Sequence, residues 1–189
     1  MNLPLIADKI YQTESFPENF REAEYDSCSF KTCNFTSMSF AGAVFSECEF
    51  IECDLSNINL RGTTFRDVTF TNCKLMGLRF EECDPFLLSF SYTNCNLSFS
   101  SFYKLKIKNT RFINCVLTQV DYSEANLEQT VFKDCDLDGA IFQNTNLKKA
   151  DLRLARNFSI NPQKNSLTRA RFSSQNIAGL LDSYQIIID

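Results

Sequence analysis

Large hydrophobic residues recur at every fifth position along most of the chain. The series starts at Phe20, is interrupted at Pro85, resumes at Phe90 and, after two extra residues, continues from Leu97. Its other members are Tyr25, Phe30, Phe35, Phe40, Phe45, Phe50, Leu55, Leu60, Phe65, Phe70, Leu75, Phe80, Phe102, Ile107, Phe112, Leu117, Tyr122, Leu127, Phe132, Leu137, Phe142, Leu147 and Leu152. An α-helix turns once every 3.6 residues, so a period of five argues against helix over this region.

A smaller residue lies two positions before nearly every hydrophobic centre. All nine cysteines occupy this position, namely Cys28, Cys33, Cys48, Cys53, Cys73, Cys83, Cys95, Cys115 and Cys135. The residue between the pair is usually polar, as at Asn34 and Asp54. Residues separated by one position share a face of an extended segment, so we expect the small residue and the centre to point inward together.

The other residues of each repeat must turn the chain through a corner. Residue types that suit turns recur there, at Gly42, Gly62, Gly77, Gly139, Asn57, Asn72, Asn109 and Asn144. A column at twenty-residue intervals indicates four corners per coil: Cys33, Cys53, Cys73 and, after the insertion, Cys95, Cys115 and Cys135. A second column contains Phe30, Phe50, Phe70, Phe90, Phe112 and Phe132. The pattern predicts an all-β, four-sided parallel solenoid of roughly seven coils, stacked about 4.8 Å apart.

The triplets Ala125-Asn126-Leu127, Cys135-Asp136-Leu137 and Ala150-Asp151-Leu152 match a known repeat unit, Ala-(Asp/Asn)-Leu-x-x. In these triplets the chain resembles the bacterial pentapeptide-repeat proteins, and the resemblance covers about residues 18–154. It implies a right-handed quadrilateral parallel β-helix, which agrees with the four columns.

We expect four regions along the chain. Residues 1–17 form an N-terminal lead and cap, residues 18–154 the β-helix with a break at about 85–96, and residues 155–172 a loop and last partial coil. Residues 173–189 are predicted to form a short C-terminal helix, capped by Ser173-Ser174, and a strand over residues 185–188. The helix would carry one apolar stripe, which contains Ile177, Leu180, Leu181 and Tyr184.

The C-terminal tail has two interpretations. It either closes the end of its own solenoid or forms an isologous dimer through the same apolar surface. The resemblance favours a homodimer, and the candidate interface residues are Ile177, Leu180, Leu181, Tyr184, Ile186, Ile187 and Ile188.

Composition lowers the expectation of an enzyme. The 189 residues include no His, the commonest general base and metal ligand, and we find no Ser-His, Cys-x-x-Cys or phosphate-loop pattern. We therefore expect no catalytic residues, no cofactor and no metal site, and interpret the cysteine column as small buried core groups. The odd number of cysteines indicates free thiols in a reducing compartment, and the sequence shows neither a signal peptide nor a membrane span, so we expect a cytoplasmic protein.

Charge is distributed unevenly along the chain. Residues 14–54 carry nine acidic and two basic residues, a net charge of −7, whereas residues 148–171 carry one acidic and seven basic residues, a net charge of +6. A solenoid would therefore be acidic at its N-terminal end and basic at its C-terminal end. Because the overall net charge is −4, direct nucleic-acid binding is not expected, and nucleic-acid or phosphoanion binding through the basic end ranks last of three binding hypotheses.

Two groups of residues are candidate partner contacts. The side chains of Phe86, Leu87, Tyr92 and Phe99 around the break cannot all point inward, so the break is either a packing bulge or an exposed apolar contact. The acidic candidates are Glu47, Glu49, Glu52 and Asp54.

The resemblance also implies two functional hypotheses. Gyrase-protecting members of the family confer quinolone resistance or microcin immunity, and the segment 95–102 and the Asn161-Pro162 loop are similar to the microcin-immunity type. Such a protein would bind DNA gyrase or topoisomerase IV as a mimic of duplex DNA or through projecting loops. The alternative is a protein-interaction scaffold with an unidentified partner.

Overall fold

The chain winds into a stack of parallel coils in the computed structural model, which describes residues 3–12, 22–36 and 38–187. Its strands are β1 Leu5–Ala7, β2 Ile10–Gln12, β3 Glu24–Asp26, β4 Ser29–Lys31, β5 Val44–Ser46, β6 Glu49–Ile51, β7 Thr64–Arg66, β8 Val68–Thr71, β9 Phe90–Thr93, β10 Arg111–Ile113 and β11 Val131–Lys133. Short 3₁₀ turns span Phe80–Glu82, Ile177–Leu180 and Asp182–Tyr184.

Strand pairing confirms the four-sided parallel solenoid. One sheet has the order β1-β3-β5-β7 and the other β11-β10-β9-β8-β6-β4-β2, with every pair parallel. Phe30 pairs with Phe50 and Phe45 with Phe65, at the predicted interval of twenty residues. Isolated parallel bridges such as Asn34 to Asp54 and Ser39 to Asn59 define the other two sides. Strand order follows chain order, so position along the sequence is also position along the solenoid.

The corners lie where the glycine and asparagine pattern predicted them. All eight predicted turn residues have positive φ angles, from 54° at Asn144 to 73° at Gly42. Most L-residues adopt this left-handed conformation only at a steric cost, which glycine avoids and asparagine tolerates. At Gly77 a Cβ atom would also collide with the Asn57 side-chain amide of the preceding coil.

Cysteine thiols and aromatic rings fill the interior. All nine cysteines are buried and free. Cys53 Sγ donates a hydrogen bond to the Phe30 carbonyl, and Cys73 Sγ to the Phe50 carbonyl, each at 3.3 Å. Thr63 Oγ1 makes the equivalent hydrogen bond to the Phe40 carbonyl at 2.8 Å. A compact side chain with a donor at the small inward position therefore bonds to the coil beneath it, whereas residues such as Ala125 and Ala150 fill the same position without a donor.

Aromatic stacking continues across the coils as a column inside the β2 to β11 sheet. Successive ring centroids lie 4.7 to 5.3 Å apart, through Tyr11, Phe30, Phe50, Phe70, Tyr92, Phe112 and Phe132. The prediction that Phe90 belongs to this column is wrong, because Tyr92 occupies that place and Phe90 pairs with Val68.

The cause is the position of the two extra residues. They belong to the segment 85–88, before Phe90 rather than after it, since Asp84 N–H bonds to the Thr63 carbonyl and Ser89 N–H to the Phe65 carbonyl. The side chains of Phe86 and Leu87 point into solvent, so neither fills the interior on this side of the coil. The Phe90 ring contributes there instead, with its centroid 5.5 Å from that of Phe80 and 5.2 Å from that of Tyr92.

Both ends differ from the expected boundaries. The predicted N-terminal lead contains β1 and β2, which pair with β3 and β4, so the coils begin at Leu5. The predicted C-terminal helix is replaced by the two 3₁₀ turns, and residues 185–187 form no strand, whereas Ile188 lies outside the described residues.

Asn176 and Gly179 explain why the tail docks without forming an α-helix. Asn176 Nδ2 donates to the Leu152 and Ala155 carbonyls of the last coils, each at 2.8 Å. Gly179 accepts a hydrogen bond from Ile160 N–H at 2.8 Å, and a Cβ there would clash with Phe158. Glycine is a poor helix former, and these contacts tie the tail to the solenoid.

Candidate partner-binding surfaces

The break in the repeat forms an outward loop, residues 85–88, which we call the break loop. Phe86 and Leu87 are 65% and 63% exposed, whereas Leu88 packs against the core. The Asp84 carboxylate accepts the Phe86 N–H at 2.9 Å, and Ser89 Oγ donates to the Asp67 carboxylate at 2.8 Å. Hydrogen bonds at both ends therefore hold two large apolar side chains in solvent.

The other two apolar candidates do not join the break loop. Tyr92 is 1% exposed and stacks within the core, so the prediction that it contacts a partner is wrong. Phe99 is exposed, but it lies at the corner between the sides centred on Leu97 and Phe102, with a φ angle of 63°. The break loop instead follows the side centred on Phe80. Phe99 is thus a separate apolar point on a different part of the coil.

The four acidic candidates follow one coil around the solenoid. Glu47, Glu49 and Glu52 are exposed, whereas Asp54 is half-buried. The Asp54 carboxylate lies 3.7 Å from Lys74 Nζ and accepts the Ser56 N–H at 3.0 Å. These carboxylates form a local acidic patch. Continuous rows along the solenoid axis would be needed to imitate the regular phosphate spacing of duplex DNA.

The C-terminal tail presents a mixed surface. Ile177, Tyr184, Ile186 and Ile187 are exposed, with Ile187 at 89%, whereas Leu180 and Leu181 are half-buried. A shallow groove of about 410 Å³ lies between the two 3₁₀ turns and the end of the tail, lined by Ala178, Leu181, Asp182, Gln185 and Ile186. The residues of the predicted apolar stripe therefore do not share one environment: Leu180 and Leu181 are partly covered, whereas Ile177 and Tyr184 face solvent.

Burial keeps the thiols of Cys48 and Cys83 protonated and therefore poorly reactive. Loss of water around the sulfur raises the pKa of Cys48 to about 12 and also raises the pKa of Cys83. Such thiols stay protonated at neutral pH, and the thiolate is the nucleophile and metal ligand. Within the described part of the chain, no group of three His, Cys, Asp or Glu residues could hold a metal ion. Nor does any helix in that part have the length and apolarity to cross a membrane.

The sequence analysis missed two features, of which only the second has a signal in the repeat pattern. The hydroxyls of Tyr92 and Tyr122 are fully buried, and neither has a hydrogen-bond partner among the described residues. Tyrosine occupies a centre that phenylalanine fills in other coils, so sequence spacing cannot distinguish the two. The second feature is Leu154, an exposed leucine at a corner. A comparison of equivalent corners could have found it, because the preceding coils carry Asn114 and Asp134 there.

Comparison with known proteins identifies the repeat and the fold. A model of the pentapeptide repeat region matches four overlapping segments, residues 23–91, 43–112, 87–153 and 105–180. No curated protein sequence matches the chain.

Several solved structures are similar to this one. A trypsin-treated form of QnrB1, a plasmid-mediated fluoroquinolone resistance protein, matches over 100% of both chains, with a TM-score of 0.64 and 15% identity. A second trypsin-treated form of QnrB1 matches over 99% of this chain and 98% of the other, again with a TM-score of 0.64 and 15% identity. HetL, a pentapeptide-repeat protein involved in heterocyst differentiation in the cyanobacterium Nostoc, covers 89% of this chain and 83% of its own, with 18% identity and a TM-score of 0.49. At this level of identity the likeness to QnrB1 concerns the fold.

Proposed function

Since the chain belongs to the pentapeptide-repeat family, we propose that it protects a type II DNA topoisomerase, DNA gyrase or topoisomerase IV, against a quinolone or a microcin-type poison. It acts by binding rather than by catalysis, in the cytoplasm. The observation that carries the proposal is the break loop, where a regular solenoid holds Phe86 and Leu87 in solvent. Large apolar side chains projecting from a polar surface are typical anchors for a protein partner.

The charge distribution favours loop binding over imitation of DNA. Duplex DNA carries one negative charge per ~1.7 Å of its axis along its whole length. In this chain residues 14–54 hold nine of the 23 acidic residues and a net charge of −7, whereas residues 148–171 carry a net charge of +6. A solenoid whose charge reverses from end to end would match a DNA-binding channel over only part of its length. The acidic patch of Glu47, Glu49, Glu52 and Asp54 then supplements the break loop as a second contact.

The active form in this proposal is a homodimer joined at the C-terminal tails. The exposed side chains of Ile177, Tyr184, Ile186 and Ile187 support it, because together they offer an apolar surface at one end of each chain. Light scattering at micromolar concentration should give the mass of a dimer, and an Ile186→Ser/Ile187→Ser variant should give that of a monomer. A monomer mass for the wild type would refute the dimer but would not bear on the proposed role of the break loop.

The direct test is rescue of gyrase supercoiling from a quinolone. The wild-type protein should restore supercoiled product, and Phe86→Ser/Leu87→Ser should not. Ile141→Ser, which removes an exposed apolar side chain on the regular part of the solenoid, is the matched control and should rescue like the wild type. Failure of the wild type to rescue either gyrase or topoisomerase IV, from a quinolone or a microcin, would refute the proposal.

A scaffold with a different protein partner is the alternative. The same break loop supports it, because an apolar anchor does not identify its partner. If no topoisomerase is rescued, a pull-down that compares the wild type with the loop variant should recover a protein that only the wild type retains.

A further inference from the structure

Two adjoining grooves open on the side of the solenoid near its C-terminal end. One, of about 470 Å³, is lined by Val131, Phe132, Lys133, Asp151, Arg153, Leu154, Ser173 and Gln175. The other, also about 470 Å³, is lined by Gln129, Val131, Lys149, Asp151, Arg169 and Arg171. Because they share Val131 and Asp151, they form one continuous surface, which we call the basic groove.

The basic groove has a large excess of positive charge. It contains five cationic side chains, Lys133, Lys149, Arg153, Arg169 and Arg171, and one carboxylate. Arg153 already satisfies that carboxylate, since its Nε lies 2.9 Å from Asp151 Oδ1 and a terminal nitrogen lies 2.6 Å from Oδ2. Within the described residues, none of the other four cations is in an ion pair.

The fold brings these cations together from successive coils. Lys149 N–H bonds to the Thr168 carbonyl, which places Lys149 and Arg169 at equivalent corners, and Arg171 pairs in register with Asp151. Neighbouring coils are about 4.8 Å apart, so the cationic groups arise from a segment of the solenoid about 10 Å long. Their mutual repulsion is relieved when an anion binds among them.

The floor of the basic groove is apolar. Leu154 is 57% exposed at a corner where the preceding coils carry polar residues, and it lines the groove with Val131. Leucine in solvent at this place gains nothing for the fold, whereas a bound apolar side chain would cover it. The surface therefore combines an apolar floor with a cationic rim.

We propose that the basic groove binds a short acidic segment of a partner protein, with one large apolar side chain of that segment seated on Leu154. Nucleic acid fits less well, because single strands bind on exposed aromatic rings and the one ring that lines the groove, Phe132, is fully buried. A duplex would need cations along a track longer than about 10 Å to contact several phosphates. The groove lies on the side of β11 and the break loop on another, so this proposal does not depend on the topoisomerase.

The probe is a fluorescein-labelled peptide, Glu-Glu-Leu-Glu-Glu-Leu-Glu-Glu, whose binding is followed by fluorescence anisotropy. We expect saturable binding to the wild-type protein that weakens when the salt concentration rises from about 50 to about 300 mM, because salt screens exposed charges. Lys149→Gln/Arg169→Gln/Arg171→Gln should weaken binding about tenfold or more, since each exposed ion pair contributes modestly and three are lost together.

Matched variants separate the groove from general electrostatics. Lys9→Gln/Arg61→Gln/Lys106→Gln removes the same number of exposed charges from other parts of the solenoid, none of them in an ion pair among the described residues, and should leave peptide affinity within about twofold of wild type. Leu154→Ser should weaken the leucine-containing peptide but not a version with serine in place of leucine. Circular dichroism spectra that coincide with that of the wild type will show that each variant is folded.

Three results would overturn the proposal. They are no saturable binding by the wild type, an equal loss of affinity in the two triple variants, and tighter binding of a short DNA duplex than of the peptide through the same residues. The last would assign the basic groove to nucleic acid.

Discussion

Replacing Tyr92 or Tyr122 with phenylalanine should stabilise the protein. Both hydroxyls are fully buried without a hydrogen-bond partner among the described residues, and burial raises the pKa of both far above the ordinary tyrosine value. Each Tyr→Phe change removes one oxygen from an aromatic column that continues above and below as phenylalanine rings, such as Phe70 and Phe112 around Tyr92.

Two opposing effects set the magnitude. An unsatisfied buried hydroxyl costs about 1–3 kcal/mol, because its hydrogen bonds to water are lost and not replaced. Removing the oxygen leaves a gap on the order of 10 Å³, which at ~24 cal/mol per Å³ costs about 0.2 kcal/mol. The net expectation is stabilisation by about 1–3 kcal/mol for each variant, which for a chain of this size raises the melting temperature by roughly 2–11 °C.

Urea unfolding followed by circular dichroism is the assay. The urea concentration at the midpoint should rise while the dependence of the unfolding free energy on urea stays unchanged. A constant slope shows that the variant changes stability and not the amount of surface exposed on unfolding. Tyr103→Phe is the matched control, because the Tyr103 hydroxyl is exposed and donates to Glu124 at 3.0 Å. It should change stability by less than about 0.5 kcal/mol. If Tyr92→Phe and Tyr122→Phe each destabilise the protein by about 1 kcal/mol or more, the hydroxyls have partners and the reasoning is wrong.

Three further outcomes are expected. Cys73→Thr should retain most of the stability because a threonine hydroxyl can donate to the Phe50 carbonyl as the thiol does, whereas Cys73→Val should cost about 1 kcal/mol in urea unfolding; equal losses would contradict the hydrogen-bond role. Gly77→Ala should cost about 1–3 kcal/mol in thermal unfolding, since its φ of 67° disfavours a Cβ and Asn57 occupies the space. Gly62→Ala is the control for the φ effect alone, because a Cβ there would come no nearer to another atom than 4.0 Å, from the Gly42 backbone nitrogen. Burial raises the pKa of Cys48 from 9.0 to about 12, so its contribution to stability is fully present below pH 9 and is lost as pH rises towards 12; urea midpoints that stay constant between pH 8 and about pH 10.5 would contradict a buried neutral thiol.

The regular part of the solenoid could be predicted from the sequence because one short rule repeats in every coil. A period of five with two inward residues leaves only a few residues to turn each corner, and a Cys column at intervals of twenty fixes the number of sides. Local and tertiary preferences agree at positions such as Cys53 and Gly77, so the prediction does not depend on any single residue.

The irregular parts could not be predicted because spacing alone does not assign an insertion to a corner. Phe90 and Tyr92 fit the inward pattern equally well, and the choice between them depends on hydrogen bonds at Asp84 and Ser89 that hold residues 85–88 outside. The tail shows the same limit, since helical spacing of Ile177 and Leu180 does not reveal that Asn176 bonds to the last coils. The basic groove depends on side chains from three coils that only the stacking brings together.

Direct binding of purified DNA gyrase and topoisomerase IV to the immobilised protein tests the central claim. The wild type and Ile141→Ser should bind at least one of the two enzymes with the same affinity, and Phe86→Ser/Leu87→Ser should lose tenfold or more, as expected when two apolar anchors of about 1–2 kcal/mol each are removed. Equal binding by all three proteins, or none by the wild type, would contradict a role for the break loop in topoisomerase protection.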